Sequence, residues 1–455
     1  MPLVLVIFLC ILFTAAGISI NLNRFWQYEA GYYDFGIFDH ALWQAADFKA
    51  PIIDHFIVPG RWIFADHFNP SIFLLVPFYW IWDKSEVLMI AQDVLVGASG
   101  FVLFFIGKKI LKNQWISLAV VVTYFLFTGL QNAVYSDFHE LTAMTFFLMM
   151  LFWSVINGHK RWYFVFLILV LGFKESLFLL GVGLSFFLYF YDRKWRNVAY
   201  ATFFISVAWG VLVIKFVIPY FSGGIYGYYS EYPKTIPGIL NALVTPPLKV
   251  RTVFLTLLSF SFLPLLNPIS LPILILNFIT RFLTDGSTRW DLGLHYSAEI
   301  APTLAVSTLL GLHFLQKRIS RVALAFATCL MVFISIFLYR FILHPPFGLA
   351  YNKAFYQHTK DFSFLDTLIA RVPSTGSIAA QNNLASRFLH RQIWILGDNY
   401  REHNPDYIVM DTRDGQNINN FLGIADYHKL LHNIKEDGNY KVIYNKGDQY
   451  IFQRR

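Results

Sequence analysis

The sequence predicts a polytopic α-helical membrane protein with about eleven transmembrane helices and a small C-terminal α/β domain outside the membrane. Of its 455 residues, 56% are hydrophobic, 19% are aromatic and 14% are charged. The mean hydropathy is +0.50. Soluble domains carry about 25% charged residues, and a helix needs about 20 apolar residues to cross a bilayer. Several runs reach that length, so a soluble protein is excluded.

Charged residues divide the apolar sequence into eleven candidate spans. These spans are 3–20, 86–111, 115–131, 140–157, 162–173, 175–191, 197–220, 252–266, 269–283, 299–315 and 320–343. Four basic clusters at the connections after the second, fourth, sixth and tenth spans, residues 108–112, 160–161, 192–196 and 317–321, hold eleven Lys or Arg residues and one acid, whereas loop 21–85 holds four basic residues and seven acids. The positive-inside rule therefore predicts a cytoplasmic (inner) membrane protein with its N-terminus inside and its C-terminal domain outside.

Two regions do not fit simple crossings. Span 162–173 is about 18 Å long at 1.5 Å per residue, which is too short to cross. Either 162–191 is one tilted helix, or the chain turns at Lys174 and Glu175 at membrane depth. Span 252–283 is interrupted by LLNP at 265–268. Broken helices and ionised groups at membrane depth occur where they line a wet cavity, so we expect a cavity open to the outer face.

The composition changes after residue 344, which predicts a transmembrane domain over 1–343 and an extracytoplasmic domain over 344–455. Short strands are predicted at 377–381, 393–396, 407–410, 440–444 and 449–452, with NKGD (445–448) as a hairpin turn. Helices are predicted at about 361–371, 382–390 and 418–434. No glycine-rich nucleotide-binding motif occurs in this segment.

Residues able to do chemistry collect on the predicted outer side. They are Asp34, Asp39, His40, Asp54, His55, Asp66, His67 and Asn69 in the first loop, then Asp137, His139, Glu140, Lys174, Glu175, Arg281, Asp285, Arg289, Asp291, His295, Tyr296 and Glu299. The cytoplasmic connections are short and basic, so an active site would face outward. The structural alternative is that these acids cap helices: Asp34 a helix over 35–47, and Asp137 the helix entered at His139.

Five motifs carry a family resemblance. They are YYDFGIFDHALW (32–43), DHFNPSIFLLVPFYWIW (66–82), SDFHE (136–140), FKES (173–176) and HYSAEIAP (295–302). Together they resemble family 2079 of the domains of unknown function, polytopic membrane proteins similar to the GT-C glycosyltransferases. GT-C enzymes place a catalytic carboxylate early in the first outer loop and use sugars carried on polyprenyl phosphate. The resemblance thus implies a GT-C-like fold and a glycosyltransferase, with Asp34 in the catalytic position.

The chemistry of sugar transfer suggests roles for the remaining residues. A carboxylate can take the proton of the acceptor hydroxyl, and cationic or hydrogen-bonding groups can stabilise the leaving phosphate. Supporting roles in the active site are expected for Asp39, Asp66, His67, Asp137, His139, Glu140, Lys174 and Glu175. Donor-phosphate binding is expected of Arg281, His295, Tyr296 and Glu299.

The expected partners are a polyprenyl-phosphate sugar, membrane lipids and an acceptor that is a glycan, lipid or protein, with no nucleic acid. The sequence identifies no cofactor with certainty, although Asp66, His67, Asp137 and His139 could bind a divalent metal if they converge. The loop GGIYGYYSEYP (223–233) is expected either to cover the donor or to form an ordinary aromatic belt. Two other functions stay open: a transporter or flippase of a lipid-linked or small polar substrate, and a non-catalytic outer-face binding protein.

Overall fold

The computed structural model describes residues 1–55, 57–224, 226–228, 232–413 and 427–455. The chain folds into two compact units. Unit 1 comprises residues 1–20, 67–72 and 90–350, and unit 2 comprises 21–66, 73–89 and 351–455. Most of the first loop, 21–85, therefore belongs to the same unit as the C-terminal segment. The division of the chain at 343 and 344 stays a prediction.

Long apolar helices form most of the transmembrane part. Within the described residues, six are long and apolar enough to cross a membrane: Pro2–Trp26, Glu86–Leu111, Glu140–Asn157, Arg193–Ser222, His295–Gln316 and Arg321–Leu343. A seventh candidate is the pair Gln114–Leu126 and Thr128–Tyr135, which is bent by 50°. All seven correspond to predicted spans. Their ends carry ordinary signals, such as Gly158 at φ 80° after one helix and Ser320 capping the start of another.

The other predicted spans are short or broken. The shorter helices are Lys160–Leu171, Phe178–Tyr191, Ile236–Val244, Leu248–Leu258 and Leu271–Phe282, with 3₁₀ turns at Glu175–Leu177, Leu263–Leu266 and Pro268–Ser270. A single helix over 162–191 is excluded because Lys174 is extended, at φ −162° and ψ 145°. The interruption predicted at LLNP is also present. The total of eleven crossings depends on these short segments and stays a prediction.

The first-loop part of unit 2 contains small elements. An irregular turn, Tyr32–Gly36, leads into helix Ile37–Ala46. Strands Ile52–Ile53 and Arg61–Trp62 then pair as an antiparallel ribbon. A 3₁₀ turn, Ile63–Ala65, follows.

A second 3₁₀ turn, Pro70–Leu75, leads directly into the short helix Val76–Ile81. The helix-capping alternatives are wrong. Gly36 precedes the helix that follows Asp34, and no side chain caps that helix. His139, not Asp137, occupies the N-cap position of helix Glu140–Asn157.

The C-terminal part of unit 2 is built on a five-stranded mixed sheet. Its strand order is Ile393–Ile395, Ile378–Ala380, Tyr407–Asp411, Gln449–Arg454 and Tyr440–Lys446. The first two neighbouring pairs are parallel and the last two are antiparallel. All five predicted strands are confirmed. So is the hairpin, where Gly447 and Asp448 have φ of 56° and 62°, as a two-residue type I′ turn requires.

Helices in this segment are shorter than the sequence predicts. They are Lys353–Asp361, Ser363–Ile369, Asn382–Ala385, Tyr400–His403 and Tyr427–Lys435. The predicted helix 382–390 is only one turn long. Of the predicted helix 418–434, residues 418–426 lie outside the described residues. The hydrophobic core lies between the sheet and helix Tyr427–Lys435, where Ile408, Met410 and Phe452 are buried together with Leu430 and Ile434.

Candidate active site

Four charged or titratable side chains form a buried network in unit 1, which we call the charged cluster: His67, Glu140, Lys174 and Glu175. Lys174 Nζ lies 2.6 Å from Glu140 Oε1, and His67 Nδ1 lies 2.9 Å from Glu175 Oε1. The side chains of Glu140 and Glu175 are 1% and 2% exposed. Three motifs far apart in the sequence therefore meet at one place.

Backbone contacts hold the His67 segment against the end of helix Lys160–Leu171. Ser71 Oγ donates to the Leu169 carbonyl at 2.7 Å, and the Ser71 N–H donates to the Gly172 carbonyl at 2.8 Å. Carbonyls at a helix C-terminus have no partner within the helix, so these bonds satisfy them. A Cβ on Gly172 would lie 2.4 Å from Ser71 Oγ. This close approach explains why glycine precedes FKES.

Two tyrosines of the loop GGIYGYYSEYP contact the charged cluster. The Tyr226 hydroxyl donates to Glu175 Oε1 at 3.4 Å. The Tyr228 ring stacks on His67 with centroids 4.3 Å apart and an interplanar angle of 17°. Residues 225 and 229–231 of this loop lie outside the described residues. The described part packs on the cluster, while its role as a cover for a donor stays a prediction.

A second group of site residues surrounds a stacked histidine pair. The rings of His139 and His295 stack with centroids 3.7 Å apart, and Tyr296 packs on His295 at 4.1 Å. Gln92 holds the SDFHE backbone, because its Nε2 donates to the Asp137 carbonyl and its Oε1 accepts from the His139 N–H. Sequence reasoning overlooked Gln92. The available signal was the polar pair Gln92–Asp93 inside an otherwise apolar span.

Arg281 is buried and its guanidinium holds the loop that follows its own helix. Nε donates to the Arg289 carbonyl at 2.8 Å, and Nη2 donates to the Asp291 carbonyl at 2.5 Å. Nη1 lies 3.3 Å from Ser297 Oγ. These contacts fix the backbone before Tyr296 and Glu299. Binding of a donor phosphate by Arg281, His295, Tyr296 and Glu299 stays a prediction.

Some buried polar atoms near these motifs lack protein partners. The Asn69 side chain is 0% exposed, and neither its Oδ1 nor its Nδ2 has a hydrogen bond to any residue that the structure describes. Glu140 Oε2 is also buried without a hydrogen bond to any described residue. An unsatisfied buried polar group costs about 1–3 kcal/mol. Such atoms mark places where water or a ligand would bind.

Asp34 lies in unit 2 in a strained backbone conformation. Its side chain is exposed, and its φ of 77° and ψ of −83° are close to a rare, strained γ-turn. Neighbouring bonds hold the turn: the Tyr33 N–H donates to Asn382 Oδ1 at 2.9 Å, and the Tyr32 hydroxyl accepts from the Asp54 N–H at 3.0 Å. Strain of this kind costs about 1–3 kcal/mol and often occurs at functional sites.

Asp39 is fully buried in unit 2. Its carboxylate accepts from the Tyr79 hydroxyl at 2.7 Å and from Ser85 Oγ at 3.0 Å. His390 Nε2 lies 3.3 Å from Asp39 Oδ2, and His390 Nδ1 lies 2.6 Å from Asp83 Oδ1. Burial opposes protonation of His390, but the hydrogen bonds and charges of both aspartates outweigh it and raise its pKa. These contacts anchor helix Ile37–Ala46, on which Asp39 lies, to Tyr79, Ser85 and His390.

The aspartate–histidine neighbours of the sequence contact distant residues. His40 Nδ1 lies 2.5 Å from the Leu389 carbonyl, and His55 Nδ1 lies 3.8 Å from Asp66 Oδ1. No three His, Cys, Asp or Glu residues in the described part of the chain are arranged to hold a metal ion. The four residues suggested for a metal, Asp66, His67, Asp137 and His139, form no such group there.

Two solved structures have a similar fold. The crystal structure of ArnT from Cupriavidus metallidurans bound to undecaprenyl phosphate matches with a TM-score of 0.52 and 10% sequence identity, covering 97% of both chains. The apo state of the same protein matches with a TM-score of 0.49 and 9% identity, covering 92% of this chain and 93% of that one. At such low identity the first match shows the fold alone, which is ArnT-like.

No curated protein matches the sequence significantly. A family model described as "Predicted membrane protein (DUF2079)" matches residues 24–451, which is nearly the whole chain. The chain therefore belongs to the DUF2079 family of membrane proteins.

Proposed function

We propose that this protein is a glycosyltransferase that moves a sugar from a polyprenyl-phosphate carrier to an acceptor on the outer face of the cytoplasmic membrane. The observation that carries the proposal is the charged cluster, with its buried cation and the unsatisfied polar atoms of Asn69 and Glu140. The likeness to a GT-C structure bound to undecaprenyl phosphate supports the choice of donor. The proposed orientation has the N-terminus inside and residues 344–455 outside.

Lys174 is the proposed ligand of the donor phosphate. A lysine ammonium has three N–H donors, and Glu140 accepts from one of them. Two donors remain for phosphate oxygens. These donors can stabilise the charge that develops on the leaving phosphate, and they do so most strongly where water is excluded. His67, held by Glu175 and stacked on Tyr228, supplies a second polar group.

Asp34 is the proposed general base. The acceptor oxygen attacks the anomeric carbon of the sugar, the bond from that carbon to the phosphate oxygen breaks, and the hydroxyl proton passes to the Asp34 carboxylate. Polyprenyl phosphate leaves with the electron pair. Asp34 is suited to meet an acceptor because its side chain is exposed. Asp39 is not suited, because its buried carboxylate already accepts hydrogen bonds from two hydroxyl groups and lies against His390.

The carrier lipid needs an apolar environment, which the chain supplies. It contains 48 phenylalanines, and several exposed ones, such as Phe204, Phe216 and Phe333, lie on membrane-length helices. Large apolar side chains on such helices face lipid at no cost, since lipid tails are as apolar as they are.

The test is release of polyprenyl phosphate from a labelled polyprenyl-phosphate sugar by the purified full chain in lipid nanodiscs, with membrane extract as the source of acceptor. Asp34→Asn should lower turnover at least about 10²-fold, as expected for loss of a general base. Asp47→Asn is the matched control, because Asp47 is an exposed first-loop acid whose carboxylate pairs with the exposed Lys49. Full turnover by Asp34→Asn would refute the assigned base, and no release by the unmodified protein would refute the enzyme.

A transporter is the second candidate. The buried Glu140–Lys174 pair and the breaks near 172–174 and 263–270 also occur in transporters, where they line substrate paths. Flux of the intact lipid-linked sugar across proteoliposomes, without release of polyprenyl phosphate, would favour this reading over the enzyme.

A further inference from the structure

We infer that a cavity in unit 2 binds a neutral saccharide. The cavity has a volume of about 320 Å³, at the lower end of the range of about 300–1,000 Å³ for small-molecule sites. Helix Ile37–Ala46, the ribbon strand Ile52–Ile53 and the sheet strand Ile393–Ile395 form its walls. It contains none of the residues proposed above for catalysis or for binding the donor.

Two half-buried tryptophans give the cavity rigid aromatic surfaces. Trp394 stacks on His403 with centroids 5.2 Å apart and an interplanar angle of 16°, which leaves only its opposite face for a ligand. Trp43 is held by the rings of His390 and His40, at 5.4 and 5.8 Å, and Lys49 Nζ lies 5.1 Å from its centroid. Trp394 therefore supplies the ring face for a ligand. A pyranose ring presents C–H groups on one face and packs that face on an aromatic ring. A fixed indole offers this contact at little cost in side-chain entropy.

Polar groups in the same cavity match sugar hydroxyls. Gln44 Nε2 donates to the Ile52 carbonyl at 2.7 Å, so its Oε1 can accept from a ligand. Asp54 Oδ2 accepts from the Ile395 N–H at 2.8 Å, which leaves Oδ1 for a ligand. Gln392 lies exposed at the rim. Amide and carboxyl groups complement hydroxyls, because each hydroxyl both donates and accepts.

The charge of the cavity favours a neutral ligand. Among the lining residues that the structure describes, Lys49 is the basic residue and Asp54 is the acidic residue. Lys49 Nζ already lies 2.9 Å from Asp47 Oδ2. Burial lowers the pKa of His40, which keeps the imidazole neutral, and burial raises the pKa of Asp54. A phosphate or nucleotide would find no net positive charge here, whereas a neutral sugar needs none.

The test is saturation-transfer NMR on the full chain in lipid nanodiscs, since common detergents carry sugar headgroups. The probes are the methyl glycosides of glucose, galactose, mannose and N-acetylglucosamine. At least one should receive saturation, and Trp394→Ala should weaken its binding by about tenfold or more. Gln392→Ala should weaken it too, and this substitution removes only an exposed side chain. Trp115→Ala is the control, because Trp115 is 52% exposed in unit 1 and does not line the cavity.

Three outcomes would overturn the inference. They are no saturation of any glycoside, equal loss in the Trp394→Ala and Trp115→Ala variants, and tighter binding of glucose 6-phosphate than of the neutral probes. The experiment contains no lipid-linked donor. Its result is therefore independent of whether the protein transfers sugars, and failure of either proposal leaves the other standing.

Discussion

Replacing Lys174 with methionine should destabilise the protein strongly, because it removes one member of a buried ion pair and leaves the other. Lys174 Nζ and Glu140 Oε1 are 2.6 Å apart, and the two side chains are 16% and 1% exposed. Methionine keeps most of the volume of lysine but cannot donate to the carboxylate. Glu140 would then be a buried carboxylate with neither oxygen bonded to a lysine.

The expected cost is about 3–5 kcal/mol, the usual effect of removing one partner of a buried pair. This is a large share of the total stability of a folded domain, about 5–15 kcal/mol. Removing both charges should cost much less, since a hydrophobic pair of similar volume is often neutral or stabilising. The double variant Lys174→Met with Glu140→Leu should therefore be more stable than Lys174→Met alone, which additive effects would not give.

These effects are measured by heating the detergent-solubilised protein and monitoring its unfolding by size-exclusion chromatography. The matched control is Lys194→Met, because Lys194 Nζ lies 3.2 Å from Asp192 Oδ2 in a pair that is 61% and 40% exposed. Exposed pairs contribute little, so this variant should melt like the unmodified protein. If Lys174→Met also melts like the unmodified protein, or if the double variant is no better than the single one, the pair is not buried and interacting as described.

Three further predictions follow from particular residues. Asp34→Gly should abolish transfer and raise the melting temperature, because glycine adopts a φ of 77° without strain and so relieves about 1–3 kcal/mol. A lower melting temperature would argue against strain at Asp34. The raised pKa of His390 gives stability that is fully present below about pH 6.5 and is lost as pH rises through the folded-state pKa. The loss should appear as a lower melting temperature at pH 9 than at pH 6, and His390→Gln should make this difference smaller. An equal difference in both proteins would contradict the assignment. A reporter fused after Arg455 should read as external and one at Lys160 as cytoplasmic; the reverse at either site would refute the charge-based topology.

The sequence was sufficient where local chemistry determines structure. Apolar runs of membrane length predicted the long helices, and short runs rich in Ile, Val and aromatic residues predicted the five strands of the C-terminal sheet. The Gly447–Asp448 turn followed from residues that tolerate positive φ. For 162–191 the sequence left open one tilted helix or a turn at Lys174 and Glu175, and the structure has the turn.

Long-range contacts were not predictable in the same way. The first loop belongs to unit 2 because residues such as Tyr28 and Tyr32 hydrogen-bond far along the chain or across the loop, Tyr28 to Asp366 and Tyr32 to the Asp54 backbone. No periodicity encodes such partners. Gln92 likewise appears as one amide in an apolar helix, and only the folded chain shows that it holds the backbone at Asp137 and His139.

Asp34 and Asp39 lie in different surroundings, and helical rotation is not the cause. Rotation would place two residues five apart on one helix about 140° from each other. The helix instead begins at Ile37, so rotation applies to Asp39 alone. The positive φ of Asp34 turns its backbone away from the helix and leaves its side chain exposed. Asp39 is placed by the helix in a buried position among Tyr79, Ser85 and His390. Because removing a carboxylate that has several buried donors is costly, we expect Asp39→Asn to act through stability, whereas the strained and exposed Asp34 is the proposed base.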